Sequence, residues 1–416
     1  MQADPCRVMI VAHTHPRLTE GGGEIVAYET FSRLRDAPGF AATWLSHDAG
    51  QLTVRSGSPF SQPFGADEYF YSGRSFDHLL FANPDPNFAP AFMALLRRLR
   101  PEIVHFHHFI GLGVEALALV RQALPTARVF LTLHEYLLIC HHHGQMVTHP
   151  ALELCTAASP QSCHRCFPEH PPAAFFLREL WLKRFLAAVD LFICPSHFLA
   201  GRFRAWGLPA ERLRVLENPL PTMEPPAEAS AGRSIPRIGF FGQISVLKGL
   251  GVLFAAARLL ADRGWPGVIE LHGRQEAQPA ALQGPLNELL AKIPPNILIR
   301  GGYPNGQVAT LMAACDAVVV PSIWWENAPV VLREAAAAGI PVIGADLGGL
   351  GESLRGMAGG ILFSARDPVA LAQAILDLPP PGQPRMRRAA APSRADALAI
   401  YRLPPELPGS RPGADA

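Results

Sequence analysis

The chain has 416 residues, 49% of them hydrophobic and 17% charged, and it carries 36 Lys and Arg against 35 Asp and Glu. That length exceeds one ordinary hydrophobic core and favours two domains. The composition excludes a disordered chain, and no run approaches the roughly 18 uncharged apolar residues of a membrane span. A formal net charge of +1 leaves no global field to hold nucleic acid or a strongly anionic partner, so any anion must be bound locally.

The start, Met1-Gln2-Ala3-Asp4-Pro5-Cys6-Arg7, places an acidic residue where a secretory signal carries positive charge, which gives the expectation of a cytoplasmic protein. Short apolar runs then recur with helical-period segments between them, at 8–12, 103–106, 129–133, 191–194 and 213–216. They read as buried parallel strands. After a Pro-rich stretch the alternation restarts at 238–241, 268–271, 297–299, 317–320, 341–343 and 361–363, a second doubly wound unit. The predicted organisation is an N-terminal domain over 1–218 with a Cys/His-rich insertion at 140–170, a linker over 219–236 and a C-terminal domain over 237–385. A helix over 386–402 and a disordered tail over 403–416 follow. Neither half repeats itself at a fixed period, which excludes a solenoid.

Open parallel sheets bind ligands outside the carboxyl ends of their strands, so the residues after each apolar run are the candidates. Behind the first run, a loop beginning His13-Thr14-His15 ends in Gly21, Gly22 and Gly23, where a backbone without Cβ atoms approaches a ligand closely. Gly22 and Gly23 are therefore site candidates. His134 and Glu135 follow the run at 129–133, and His134 is the best-placed catalytic histidine. His105, His107 and His108 either line the same pocket or pack. Within the insertion, Cys140, Cys155, Cys163 and Cys166 fall in one stretch, while Cys6, Cys194 and Cys315 are scattered on apolar segments. Four thiols with one Cys-x-x-Cys pair suit a structural zinc. An iron–sulfur cluster, a redox pair and uncoordinated thiols are the alternatives.

In the second half, the turn after 238–241 runs Gly242-Gln243-Ile244-Ser245-Val246-Leu247-Lys248-Gly249 and sets a lysine before a glycine at a strand's end. The segment after 317–320, Pro321-Ser322-Ile323-Trp324-Trp325-Glu326-Asn327-Ala328-Pro329-Val330, opens a helix. Asn327 is its expected cap and Pro329 its expected first turn, so the backbone from Asn327 through Ala328 and Pro329 to Val330 offers a seat for a phosphate or a sugar hydroxyl. Glu334, inside that helix, is placed to accept two ribose hydroxyls, and Glu326, in the loop, to hold hydroxyls of a transferred sugar. The plainer reading is that both glutamates answer the helix dipole.

The spacing of Glu326 and Glu334, preceded by Pro321-Ser322 and followed by Ala335-Ala336-Ala337-Ala338-Gly339-Ile340-Pro341, resembles the donor signature of the family 4 glycosyltransferases. Further turns match over most of the chain, among them Gly242 to Gly249, Leu271-His272-Gly273, residues 346–352, Pro195-Ser196-His197-Phe198 and Glu217-Asn218-Pro219. The resemblance implies a GT-B fold, two Rossmann-like doubly wound α/β domains facing across a cleft, and retaining transfer from a nucleoside diphosphate sugar without a catalytic metal. It makes His134, Lys248 and Glu326 the catalytic set. It places Gly22, Gly23, Gly242, Gln243, Lys248, residues 327–330 and Glu334 at the donor. Gln243 stands where the family commonly has an arginine, which leaves Lys248 more of the diphosphate charge. A similar cysteine-bearing insertion occurs in some bacterial polysaccharide glycosyltransferases, so the expected acceptor is a glycan or glycolipid of the cell surface. Residues 175–184 are either a peripheral contact with the inner membrane face or a helix packed on the sheet. The competing readings are a nucleotide-sugar epimerase and a non-catalytic, metal-bearing subunit that binds nucleotide sugars.

Overall fold

A computed structural model of the chain describes residues 4–19, 21–52, 58–219, 234–275, 278, 280–381 and 398–403. Most of the expected linker, residues 382–385 of the expected C-terminal domain, residues 386–397 of the expected C-terminal helix and the tail from 404 lie outside the described residues. The chain divides into two compact units. The first comprises residues 1–149, 155–221 and 392–416, and the second residues 150–154 and 222–391.

The first unit runs β1 (Cys6–Ala12), α1 (Gly22–Asp36), β2 (Phe40–His47), β3 (Phe60–Ser61), β4 (Glu68–Tyr71), α2 (Phe88–Leu99), β5 (Ile103–Phe106), α3 (Ala116–Ala123), β6 (Arg128–Thr132), α4 (Pro160–Cys166), α5 (Pro172–Leu186), β7 (Leu191–Cys194), α6 (His197–Trp206) and β8 (Leu213–Val215). Its sheet has the order β3-β4-β2-β1-β5-β6-β7-β8, parallel except where β3 meets β4. Val8 sits opposite Ala42 on one side and Ile103 on the other, so β1 is buried between two ladders. Strands β2 and β4 carry no continuous aliphatic run, and the apolar pattern does not signal them. Pairing of β2 with β1, and of β4 with β2, makes them strands, because it lets Trp44, Phe70 and Tyr71 bury completely.

The core of this unit joins Ile10, Phe31, Trp44, Phe70 and Phe130 to Leu398, Ile400 and Tyr401. The last two belong to a 3-10 turn, Ala399–Arg402. Tyr401 meets His105 Nδ1 through its hydroxyl at 2.6 Å, and the Arg128 guanidinium donates to the carbonyls of Leu403 and Tyr401 at 2.8 and 3.2 Å. Residues near the C-terminus thus complete the first unit's hydrophobic core.

The second unit runs β9 (Arg237–Phe241), α7 (Leu250–Asp262), β10 (Val268–His272), α8 (Ala280–Leu290), β11 (Ile297–Gly301), α9 (Val308–Ala313), β12 (Ala317–Val320), α10 (Val330–Ala338), β13 (Val342–Ala345), α11 (Gly348–Gly356), β14 (Gly360–Phe363) and α12 (Pro368–Leu376). Its order is β11-β10-β9-β12-β13-β14, parallel throughout. Each apolar run read from the sequence overlaps a strand of one unit or the other, with Leu133, Leu216 and Pro341 falling just outside, and two Rossmann-like domains are the result. In both sheets the strand order reverses beside the first strand, between β1 and β5 and between β9 and β12. The crevices at those reversals, outside the carboxyl ends, are where such folds take ligands. No described helix is long and apolar enough to cross a membrane.

Candidate active site

In the second unit the loops leaving β9 and β12 meet at the switch point. Lys248 Nζ lies 2.5 Å from Glu326 Oε1, which also accepts from Ser322 Oγ at 2.8 Å and Trp324 Nε1 at 2.9 Å. The Lys248 ammonium stands 5.5 Å from the centre of the Trp324 ring. Three donors on one buried oxygen fix the carboxylate by charge-assisted hydrogen bonds. The loops themselves are tied by the Ile323 N–H, which donates to Leu247 O at 2.9 Å. Gly249 is required twice over, since its φ is +80° and a Cβ there would intrude on the Pro321 carbonyl. The Gly349 N–H donates to Glu326 O at 2.9 Å, and a Cβ on Gly349 would intrude on the Asn327 carbonyl.

Helix α10 starts at Val330 with Pro329 as its N-cap in extended backbone, so Asn327 is not the cap and Pro329 is not in the first turn. Buried Asn327, with Ala328 and Pro329, forms the approach to the helix instead, held against α11 through Gly349. Glu334 sits in the second turn, buried, and burial pushes its carboxyl up to about 7. After β9, the Gly242 N–H donates to His272 O at 3.0 Å, and Gln243 follows it in the same turn. A Cβ on Gly273 would intrude on Gly242 O, so that glycine answers the contact of two turns of this chain. Of residues 346–352, Leu347 is the N-cap of α11 and Gly348 to Glu352 form its start.

In the first unit, Gly22 and Gly23 are the opening residues of α1, N-capped by Gly21, rather than part of a loop. A Cβ on Gly23 would stand 4.0 Å from His134 Cγ, so the glycines and the histidine do come together. His134 Nε2 is 3.0 Å from His107 Nδ1, His13 Nε2 is 2.8 Å from Glu24 Oε1, and His108 Nε2 is 3.4 Å from Glu135 Oε1. Burial, then the neighbouring His108 and His13, hold His134 down to about 3, so its imidazole is neutral at physiological pH. Apolar walls push the Glu135 carboxyl upward while 30% of its side chain stays exposed. His105 packs between Tyr401 and Thr132 Oγ1, which it meets at 2.7 Å, and is structural. His13 and Glu24 were not singled out from the sequence, although the strand-end rule that selected His134 applies equally to the residue after β1.

Residues 20–224 match the family model described as Glycosyltransferase Family 4, and residues 235–379 match that described as Glycosyl transferases group 1. The chain belongs to the family 4 glycosyltransferases. A D-inositol 3-phosphate glycosyltransferase of Streptomyces griseus is 33% identical over 143 residues, 33% of this chain and 30% of the relative. The amylovoran biosynthesis glycosyltransferase AmsK of Erwinia amylovora is 27% identical over 207 residues, 47% of this chain and 49% of the relative. The chain therefore spans between about a third and a half of these relatives' length. Among solved structures, sucrose-phosphate synthase from Thermosynechococcus elongatus superposes with a TM-score of 0.63 at 19% identity, covering 90% of this chain and 89% of its own. Anabaena HepE in complex with UDP and glucose gives 0.58 at 18% identity, covering 89% of each. These likenesses bear on the fold, which is GT-B.

This family 4 glycosyltransferase carries its insertion between β6 and α5. Cys140 lies in the turn after β6, Cys155 further along, and Cys163 and Cys166 one turn apart on α4, whose N-cap Ser159 accepts from the Ser162 N–H at 3.2 Å. No three of their sulfurs draw within 4.8 Å of one another. Among the described residues that grouping is met by Glu270, His272 and Cys315, where Arg300 at 2.7 Å and Arg237 at 3.6 Å already engage the Glu270 carboxylate. Helix α5 buries Phe175, Arg178, Leu182 and Leu186, and leaves Phe176, Leu177 and Leu180 more than half exposed.

Proposed function

We propose that the chain transfers a sugar, with retention of anomeric configuration, from a nucleoside diphosphate sugar to a glycan or glycolipid acceptor of the cell surface. The observation that carries this reading is the Lys248–Glu326 pair at the switch point of the second sheet, beside the start of α10. Cell-surface polysaccharide synthesis is supported by the Erwinia relative named for amylovoran biosynthesis, and a nucleotide donor by the HepE complex with UDP and glucose.

Each role follows from the chemistry of the transfer. As the bond from the anomeric carbon to the phosphate oxygen breaks, the diphosphate gains charge, and the Lys248 ammonium stabilises it. Gln243 brings hydrogen bonds but no charge, so Lys248 is the decisive cation there. Glu334 accepts the ribose hydroxyls, and Glu326 Oε2 accepts hydroxyls of the transferred sugar while Oε1 holds its three donors. Neutral His134 hydrogen-bonds a hydroxyl without adding positive charge to the oxocarbenium-like centre. The acceptor oxygen bonds the anomeric carbon on the face the phosphate leaves, and the acceptor proton passes to the departing phosphate oxygen. No protein nucleophile takes part. Peripheral contact with the membrane falls to Phe176, Leu177 and Leu180.

A thermal-shift screen against a panel of nucleoside diphosphate sugars tests the donor assignment, with Lys248→Ala and Glu334→Ala alongside. One donor should stabilise the wild type and neither variant, and NMR of the product should show the donor's anomeric configuration. Binding without turnover on any acceptor would point instead to a non-catalytic subunit, and an inverted product would overturn the retaining mechanism.

A further inference from the structure

Two histidines, one following β5 and one following β6, meet through their ring nitrogens. His107 Nδ1 lies 3.0 Å from His134 Nε2, with the ring centres 5.2 Å apart and 23° between the ring planes. That separation is close to the most that a 3.0 Å contact between ring nitrogens permits, so the rings meet edge to edge. The lone pair or N–H of each nitrogen therefore lies along the contact, the geometry of a well-aligned hydrogen bond.

Both rings are anchored to the sheet. The His107 N–H donates to Val11 O at 2.7 Å, and the Leu133 N–H, one residue before His134, donates to Ile193 O at 2.8 Å. His105, itself bonded to the Tyr401 hydroxyl and Thr132 Oγ1, packs on the His107 ring with centres 4.4 Å apart. Burial, then neighbouring histidines, hold both His107 and His134 well below the usual imidazole range, so each is neutral at physiological pH with one N–H and one lone pair. One proton therefore occupies the contact, and two arrangements are open. If His134 Nε2 donated, the His107 proton would sit on its own Nε2, which is buried without a partner among the described residues. If His107 Nδ1 donates, that Nε2 keeps only a lone pair. A buried N–H without an acceptor is rarer in folded proteins than an underused acceptor, which favours the second arrangement.

We infer that His107 is a positioning residue for His134, its Nδ1–H donating to His134 Nε2, which aligns the His134 ring and fixes the His134 proton on Nδ1. The hydrogen bond at one ring nitrogen decides the state of the other. The nitrogen that His134 then offers to a ligand hydroxyl is a donor and not a base. A fixed donor suits the proposed transfer, in which the acceptor proton passes to the departing phosphate oxygen and no side-chain base is required. The positioning role rests on that proposed use of His134, while the hydrogen bond does not.

NMR of the full-length protein carrying isotope-labelled histidine reads the proton positions at neutral pH. The expected spectrum shows a coupling between the two nitrogens across the hydrogen bond, with both rings protonated at Nδ1 and bare at Nε2. No other pair of histidines bonds through ring nitrogens among the described residues, so the coupling identifies the two without a variant. In turnover assays His107→Leu should lower kcat about 10- to 100-fold as His134 loses its alignment. His107→Asn, whose amide nitrogen stands in for Nδ1, should recover most of that loss. The spectrum of the wild type decides the matter alone if His107→Leu fails to fold. A missing coupling, a proton on Nε2 of either ring, or wild-type turnover by His107→Leu would each overturn the inference, even in a protein that transfers sugar. If the spectrum is as expected and no nucleoside diphosphate sugar is bound, the donor reading fails and the His107–His134 hydrogen bond stands.

Discussion

Replacing Glu334 by glutamine separates the cost of building the donor site from its use. Burial inside α10 moves the Glu334 carboxyl from 4.5 to about 7. Because the folded value lies above the unfolded one, the folded state holds the proton more tightly, and stability falls as pH rises from 4.5 through 7. Below that window the carboxyl costs little; above it, the buried charge costs about 3 kcal/mol relative to a neutral isostere, against under about 1 kcal/mol near pH 5. Glutamine keeps the shape and does not titrate. The stability margin of Glu334→Gln over wild type should therefore grow by roughly 2–3 kcal/mol between about pH 5 and about pH 8, or roughly 5–10 °C in the melting of a domain this size. Thermal melts of both proteins across that range, with urea titrations at the two ends, read the margin directly. A margin that stays flat would mean that the carboxyl titrates in the folded protein as it does unfolded, and the desolvation argument would fail. The same variant should bind the donor about tenfold or more weakly, since an amide replaces a carboxylate that accepts two hydroxyls, and donor binding by the wild type should release protons below neutral pH.

Lys248→Ala should lower kcat by about 10²- to 10³-fold through lost stabilisation of the leaving diphosphate; a steady-state rate close to wild type would remove Lys248 from the chemistry. Gly249→Ala adds a Cβ at a φ of +80° and into the Pro321 carbonyl, whereas Gly264→Ala adds one at +72° into open space. Urea unfolding should give about 1–2 kcal/mol for Gly264→Ala and clearly more for Gly249→Ala, and equal losses would mean that the two loops do not press together. Tyr401→Phe strips a buried histidine nitrogen of its 2.6 Å partner and should cost about 1–3 kcal/mol, read by calorimetry. Phe176→Ser/Leu177→Ser/Leu180→Ser should abolish co-sedimentation with anionic vesicles and leave the melting temperature near wild type; vesicle binding that persists would free α5 of that role.

The strands at 103–106, 191–194 and 317–320 were legible to the residue, because a strand buried on both faces is apolar at nearly every position, His105 being the polar exception, and ends where polar residues return. The start of α10 was not, since Asn327, Ala328 and Pro329 hold cap and first-turn signals at once. The contact with Gly349 and the extended backbone of Pro329 decide between them. Strands β2 and β4 escaped for the opposite reason, their character coming from neighbours in the sheet rather than from their own pattern. The residues of the candidate site were named from the strand-end rule and the spacing of Glu326 and Glu334. What those residues touch was not. The Lys248–Glu326 pair spans 78 positions and the His105–Tyr401 pair 296. The order β11-β10-β9-β12-β13-β14, which sets β9 beside β12, creates the first, and the return of residues 398–403 to the first core creates the second. By itself the sequence determined two doubly wound domains and the strand ends that carry chemistry, since both are written in local apolar periodicity. Only the tertiary structure decided which strand ends meet, because sheet order is a long-range packing choice that no local pattern records.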